Sequence, residues 1–504
     1  MQYKVFMFPL LVCAMATAIA APGSSSDPQQ DAINQRQQQQ QNQLNAAIAA
    51  QQVTASDVRL QGETLAEAGF PQHEAQCFTI NQLVLTDYQA EASHAEAGSK
   101  LIQPSQFAWA LSSVYAERDF ALPACVGSQG INVLLRRIQN RLIEYGYVTT
   151  RVVVEPQDLR SGMLVLTVIP GKVGRIQLQD QSALPFATRG TLWFAMPLRE
   201  GELLNLRDIE QGLENLKRVP SAEADFQLVP SENVGETDIV VGYKQRFPFH
   251  ITLGLDDSGS KATGRLQGSA TFSWDNVLTL NDMFYISGTR SFKRHSDKAE
   301  GDYGSQNISL YYSIPWKNYQ LSLSGSRYRY HQTVAGAFES YTYSGESRQM
   351  KANLSRLLWR DSRSKTYLNA ALWARQSQNY INDTEIEVQR RRTAGWEAGL
   401  SHTHYIYDGV LQLSALYKRG TGGHRALRAP EEEFDEGTSR MQIITANIDF
   451  SYPFSLFNQP LRFNTEWSAQ WNRTPLVQQD KLSIGGRYTV RGFDGELTLS
   501  GERG

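Results

Sequence analysis

The second half of this 504-residue chain has a side-chain pattern that restricts its fold to few architectures. After Arg246 it divides into segments of ~9 to 11 residues, rich in aromatics and separated by Gly, Asn, Asp and Ser. In the clearest segment, 461–472, Phe463, Trp467 and Trp471 fall on one face and long polar side chains on the other. This alternation indicates β-strands. The apolar face would suit a soluble sandwich too, but the long polar face fits a water-filled barrel interior at least as well.

About eleven such segments follow one another. They start near Phe249, Leu266, Met283, Asn307, Tyr319, Gln349, Thr366, Thr393, Val410, Gln442 and Leu461. Single-chain bacterial barrels have even strand numbers, and this sequence stops at Gly504 in a Gly-rich stretch. We therefore expect further C-terminal strands in the complete protein.

The N-terminus predicts export from the cytoplasm. Lys4 precedes an apolar run, 5–19, and Ala18-Ile19-Ala20 suits a signal peptidase, so the signal peptide spans 1–20 and the mature chain starts near Ala21. Lipidation at Cys13 is disfavoured because Val12, rather than a small residue, precedes it. No later segment has the ~18 consecutive apolar residues that a transmembrane helix requires.

Composition narrows the function classes. The formal net charge is -2, which gives no global field to attract nucleic acid. The mean hydropathy, -0.41, is compatible with a transmembrane barrel, whose strands alternate apolar and polar residues. After signal removal two cysteines remain, Cys77 and Cys125, and in an oxidising compartment they predict a disulfide; two buried free thiols are the alternative.

Between signal and barrel lie a Gln-rich segment and two units of similar layout. Residues 28–52 contain Leu44 and Ile48 at helical spacing, which allows a weakly amphipathic helix or a disordered spacer, and a polar linker runs on through 74. Each unit, 75–172 and 173–245, reads strand, helical region, strand, strand. The helical regions are indicated by Ile131, Leu134, Leu135, Ile138 and Leu142 in the first unit, and by Leu206, Ile209, Leu213 and Leu216 in the second.

This layout resembles the outer-membrane transporter (TpsB) family of two-partner secretion, the haemolysin secretion/activation proteins. In the first unit the resemblance rests on Cys77-Phe78-Thr79-Ile80, on Gly130-Ile131-Asn132 with Cys125, and on residues 146–151. It implies two α+β POTRA domains, 75–172 and 173–245, followed by a transmembrane antiparallel β-barrel over 246–504, of about sixteen strands in the family.

The most specific motif is the tetrad Val490-Arg491-Gly492-Phe493. The resemblance places it at the tip of a pore loop, 473–504, that folds back into the barrel, with Arg491 paired to a carboxylate on a later strand. An ordinary hairpin loop is the alternative interpretation.

By resemblance, the protein recognises an unfolded partner exoprotein in the periplasm and moves it to the cell surface without nucleotide hydrolysis. The exoprotein would be a haemolysin, an adhesin or a contact-dependent inhibition toxin. The family also implies a helix within 28–52 that plugs the pore, an outer-membrane location in contact with lipid, and function as a monomer. A barrel insertase of the same superfamily and a passive porin are the alternatives, although insertases typically carry more POTRA units and porins have none.

Catalytic and cofactor motifs do not appear in the sequence. It has no Gly-x-Ser-x-Gly elbow, no His-Glu-x-x-His pair and no phosphate loop. The glycines of 420–423 lack a dinucleotide-binding context, His402 and His404 lack an evident third metal ligand, and the acidic run 431–436 reads as a solvated loop. We expect neither an enzyme nor a cofactor, metal or nucleic-acid site.

Overall fold

The computed structural model describes residues 58–60, 62–66, 69–88, 104–116, 119–183, 188–233, 235–293, 301–336, 338–485 and 499–504. The predicted signal peptide, the Gln-rich segment 28–52 and the tetrad at 490–493 lie outside the described residues. No helix among the described residues is both long enough and apolar enough to cross a bilayer.

The first unit packs one helix on a small mixed sheet. Its elements are β1 (Phe78–Ile80), β2 (Gln82–Asp87), a 3-10 helix (Ala108–Tyr115), β3 (Ala124–Val126), α1 (Ser128–Glu144), β4 (Arg151–Val153), a 3-10 turn (Leu159–Ser161) and β5 (Met163–Ile169). β5 lies between β2, which is parallel to it, and β4, which is antiparallel. Leu134, Ile138 and Leu142 of α1 are fully buried with Leu164 and Leu166 of β5, as their spacing predicts.

Both ends of α1 are fixed by local chemistry. Gly146, at φ +95°, adopts a left-handed conformation that disfavours side chains and ends the helix. At the start, the Glu74 carboxylate accepts hydrogen bonds from the N–H groups of Gly127, Gln129 and Gly130 at 2.9–3.0 Å. Burial acts to raise the pKa of Glu74, but the three N–H donors outweigh it and the pKa lies below its ordinary value.

The second unit repeats this plan with an additional helix. It comprises β6 (Lys172–Asp180), α2 (Arg189–Ala195), α3 (Leu206–Lys217), β7 (Ala222–Pro230) and β8 (Glu236–Gln245). β8 is central, parallel to β6 and antiparallel to β7. The predicted helix is α3, and Ile209, Leu213 and Leu216 are buried in its core. Helix α2 was not predicted, because its seven residues have too few turns to show a periodicity.

The third part is one large antiparallel sheet. Eleven strands follow one another as neighbours from β9 to β20, and the two-residue β16 pairs at the side of β15. The strands are β9 (Phe249–Asp256), β10 (Leu266–Asp275), β11 (Met283–Phe292), β12 (Tyr303–Trp316), β13 (Tyr319–Ala335), β14 (Ser340–Arg360), β15 (Ser364–Ile381), β16 (Thr384–Glu385), β17 (Arg391–Ile406), β18 (Gly409–Thr421), β19 (Gln442–Leu456) and β20 (Gln459–Asn472). A separate pair, β21 (Leu482–Ile484) and β22 (Leu499–Gly501), follows.

The eleven predicted segments are thus found, each as one strand of the meander. Their predicted lengths were wrong in the middle of the sheet, where β14 has 21 residues and β15 has 18. Since ~9 to 11 residues suffice to cross a bilayer, these strands extend well beyond that thickness. The start of β14 was placed nine residues too late because 340–348 carries little apolar alternation.

Cys77 and Cys125 form a disulfide, with their Cα atoms 5.4 Å apart. The separation falls within the range of roughly 4.4–6.8 Å that such a bond allows. The bond joins the residue preceding β1 to the middle of β3, where Thr79 and Cys125 are already paired in the ladder. The disulfide and Glu74 therefore both hold the chain preceding β1 close to β3 and the start of α1.

Replacing both cysteines, Cys77→Ser with Cys125→Ser, should destabilise the first unit without changing its fold. The bond spans 48 residues of sequence, and the loop-entropy relation gives a loss of about 4 kcal/mol in the free energy of unfolding. The measurement is the urea concentration at which this unit becomes protease-sensitive in the full chain, with reductant-treated wild type as the matched control. An unchanged midpoint would mean that Glu74 and the β1–β3 pairing suffice.

Candidate functional site

The large sheet has one apolar face and one polar face. On β20, Phe463, Trp467 and Trp471 alternate with polar residues, and the Trp467 side chain is 69% exposed. On β15, Leu368 and Leu372 share the exposed apolar face, with Leu372 at 68% exposure. The predicted alternation of 461–472 is therefore confirmed.

The opposite face carries a hydrogen-bonded network of small polar side chains. Ser355 donates to Asn369 at 2.6 Å, and Asn369 donates to Ser401 at 3.1 Å, which links β14, β15 and β17. Lys351 and Glu397 form an ion pair across the same face. A face of this kind can be wetted and can contact polar backbone, so we regard it as the inner wall of a conduit.

A buried ion cluster joins the second unit to one end of the sheet. We define the junction cluster as Glu210 and Glu214 of α3 with Arg360 of β14 and Lys365 of β15. Arg360 donates to Glu210 at 3.0 Å and to Glu214 at 2.9 Å, and Lys365 lies 3.0 Å from Glu214. The Arg360 side chain is only 4% exposed and that of Glu210 only 1%.

The acidic side of this junction is heavily charged. Asp208 lies two residues before Glu210 on α3. Its burial, reinforced by the Glu202 carboxylate, raises its pKa to about 6, while Arg360 acts in the opposite direction. Arg360 pairs with both Glu210 and Glu214, while Arg207 pairs with Glu210 and Lys365 with Glu214.

The linker from the N-terminal segment runs through the same cluster. The N–H of Val58 donates to Glu214 at 3.0 Å and that of Leu60 donates to Glu210 at 2.6 Å, while Arg360 donates to the Val58 carbonyl. Between them, the Arg59 guanidinium lies 4.2 Å over the ring of Tyr405 on β17. One set of side chains thus fixes linker, helix and sheet together.

A second set of contacts extends the junction to neighbouring turns of the sheet. Asn215 donates to the Lys317 carbonyl at 2.8 Å, and Arg218 donates to Ser313 Oγ at 2.9 Å. Thr191 of α2 and the turn at Thr279–Asn281 exchange two hydrogen bonds of 2.6 and 2.9 Å. The apolar core of the second unit also continues into Met283, Tyr285 and Tyr311 of the sheet. The second unit is docked by a continuous interface rather than joined by a hinge.

The segment after β20 turns back along the inner face. Asp480 meets Arg375 and Lys418 there, and β21 and β22 close the base of the loop. The predicted tetrad Val490, Arg491, Gly492 and Phe493 lies between these two strands but outside the described residues, so its position stays a prediction.

The weaker candidates of the sequence have ordinary structural contacts. The rings of His402 and His404 lie 6.0 Å apart, and Thr366 hydrogen-bonds to His402 at 2.8 Å. Of the acidic run, Glu431 pairs with Arg391, and Glu432 accepts from Thr438 and Ser439. Within the described residues no three metal-ligating side chains come together.

Comparison with known proteins identifies the family. The model for haemolysin secretion/activation protein ShlB/FhaC/HecB matches residues 235–504, a ShlB-type POTRA model matches 111–171, and a further POTRA model matches 172–230. The chain belongs to this family. Its two units are POTRA domains, which lie in the periplasm, and the protein is an outer-membrane transporter.

Related proteins match this sequence over most of its length. It is 32% identical to the outer membrane transporter CdiB-2 of Burkholderia pseudomallei (strain 1026b), over 86% of this chain and 72% of that protein. It is 26% identical to the hemolysin transporter protein ShlB of Serratia marcescens, over 75% of this chain and 65% of that one. The structure of CdiB from Acinetobacter baumannii is 28% identical and superposes with a TM-score of 0.75, covering 95% of this chain and 84% of that one.

Substituting Arg360→Ala should loosen the junction, because it removes the cation that Glu210 and Glu214 share and leaves each with one other partner, Arg207 or Lys365. Removing one partner of a buried pair costs about 3–5 kcal/mol. We expect trypsin to cleave after Arg59 faster in the intact variant than in wild type. Arg363→Ala, which removes an exposed arginine from the same turn, is the matched control and should leave cleavage unchanged. Equal rates in both variants would show that the second contact set holds the junction alone.

Proposed function

We propose that this transporter captures an unfolded partner exoprotein in the periplasm, of the haemolysin, adhesin or contact-dependent inhibition toxin type, and threads it to the cell surface without nucleotide hydrolysis. The observation that carries the proposal is the polar inner face of the sheet with two POTRA domains at one end of it. In this arrangement the apolar face contacts lipid. The direct test is co-expression with a large exoprotein whose gene is found to adjoin this one, followed by detection of that exoprotein in the medium.

Capture would use strand edges of the POTRA domains. In the second domain, β6 and β7 are the outer strands of the order β6-β8-β7, so each has one side outside the ladder. An extended polypeptide can add to such an edge through main-chain hydrogen bonds, with little demand on its sequence. Extended segments of an unfolded client meet that requirement, whereas a folded protein does not.

Two alternatives fit less well. A barrel insertase of the same superfamily typically carries more POTRA units than the two matched here. A passive porin has no use for periplasmic recognition domains rigidly docked to its sheet. Our proposal also assigns the chain as a signal peptide (1–20), a Gln-rich segment and linker (21–74), POTRA domains (75–172 and 173–245) and a barrel (246–504), working as a monomer without a cofactor or catalysis.

Arg491 is proposed to hold the tip of the pore loop against a carboxylate of the wall, since an unpaired guanidinium there would be costly. Arg491→Ala should therefore abolish or sharply reduce export of the partner, while heat modifiability and outer-membrane level stay normal. Arg440→Ala, the loss of an exposed arginine before β19, controls for charge. Normal export by the Arg491 variant would remove the tetrad from the mechanism, and loss of the protein from the membrane would assign Arg491 to folding instead.

Residues 28–52 are proposed to form a helix that occupies the pore at rest. Leu44 and Ile48 supply little apolar surface, so its hold should be weak and reversible. Deleting 28–52 should raise single-channel conductance in planar bilayers, and Leu44→Asn with Ile48→Asn should give part of the same increase. An unchanged conductance after the deletion contradicts the plug.

A further inference from the structure

Asp480 is a buried carboxylate on the loop side of the inner wall. It ends a short 3-10 turn, Gln478–Asp480, that follows β20, and its side chain is only 1% exposed. Arg375 donates to both carboxylate oxygens, at 3.1 and 3.2 Å, and Lys418 lies 3.4 Å from one of them. Arg375 belongs to β15 and Lys418 to β18, with β17 between them, so one carboxylate connects non-adjacent strands.

Apolar side chains pack beside the contact of Asp480 with Arg375 and Lys418. Leu476 is fully buried in a small cluster with Trp373, Met441 and Ile443. The Lys418 ammonium lies 4.7 Å over the ring of Trp373, which connects this cluster to the ion triad. Exclusion of water by these side chains strengthens the attraction between Asp480 and its two cations.

The two ends of the pore loop meet at this point. β21 pairs with β22, and Gln478 donates to Ser500 at 2.6 Å. Glu502 accepts from the Leu476 N–H at 3.1 Å and from Asn472 at 2.8 Å. The stretch before Gly485 and the stretch after Leu499 therefore form one block, and the Asp480 triad fastens that block to the wall.

We infer that Asp480, with Arg375 and Lys418, is the positioning site that fixes the base of the pore loop to the inner wall, independently of any contact made by Arg491. The inference rests on the proposed export function, to which it adds the residue that sets where the loop enters the conduit. Asp480 acts through the loop and need not contact the client. Its loss leaves Arg375 and Lys418 without the carboxylate that they share and removes the ion contact between the loop base and the wall.

Crosslinking measures the position of the loop base directly. Gln479 donates to Ser377 of β15 at 3.4 Å, so a short bifunctional thiol reagent should join Gln479→Cys to Ser377→Cys while Cys77 and Cys125 remain joined to each other. In this background Asp480→Asn should slow crosslinking at least about tenfold, because the buried contact loses its charge. The same substitution should raise conductance and reduce export, with the outer-membrane level and heat modifiability unchanged.

Asp449→Asn is the matched control, since it neutralises a carboxylate of β19 on the same inner face, opposite Glu466 of β20. It should change none of these readouts. The charge exchange Asp480→Lys with Arg375→Glu retains one acid and two cations at the site and should restore both crosslinking and export. A purely steric role of Asp480 predicts no such rescue.

Three results would overturn the inference: no crosslink when Asp480 is present, an unchanged crosslinking rate in Asp480→Asn, or failure of the charge exchange to restore crosslinking. The proposed function fails separately, if the wild-type chain exports no partner, because crosslinking reports on the loop base whether or not export occurs.

Discussion

Backbone hydrogen bonding across the large sheet is the constraint on which the rest of the molecule depends. A strand in hydrocarbon has no water to satisfy its N–H and C=O groups, so each strand must pair with its neighbours along its length. The unbroken order from β9 to β20 meets this demand in the described part of the chain. Once the ladder is fixed, alternate side chains point to one face or the other, and within the hydrocarbon charged ones are favoured on the inner face. The pairs Lys351–Glu397, Arg360–Glu210 and Arg375–Asp480 all use sheet residues of that inner face.

Strand β15 contributes residues to both buried ion groups. Lys365, near its first residue, belongs to the junction cluster, whereas Trp373 and Arg375 belong to the base of the pore loop. Ten residues of strand separate Lys365 from Arg375, about 34 Å at the rise of an antiparallel strand. One hydrogen-bonded strand therefore reaches from the POTRA junction to the loop. This is a structural connection, and energetic coupling between its ends would require each end to have two states.

Sequence reasoning succeeded where the signal is periodic and local. The alternation of 461–472, the apolar spacing in α1 and α3, and the eleven strand segments all express a regular geometry within a few residues. The two buried ion groups were harder to predict from the sequence. Glu210 and Glu214 have the spacing of a solvated helix face, and Arg360, which makes them part of an interface, is 150 residues from Glu210 along the chain. Asp480 lies 105 residues from Arg375 in a segment with no regular pattern. Of the pore residues, the tetrad at 490–493 was singled out by resemblance rather than by periodicity, and its position stays a prediction.

The two buried ion groups also restrict how the conduit can open. Buried charges have few possible partners, and separating them from those partners is costly. Such groups therefore favour one arrangement of the structure over many slightly different ones. The junction cluster opposes swinging of the second POTRA domain, and the Asp480 triad opposes withdrawal of the loop base from the wall. Space for a translocating chain must therefore come from parts that neither group holds.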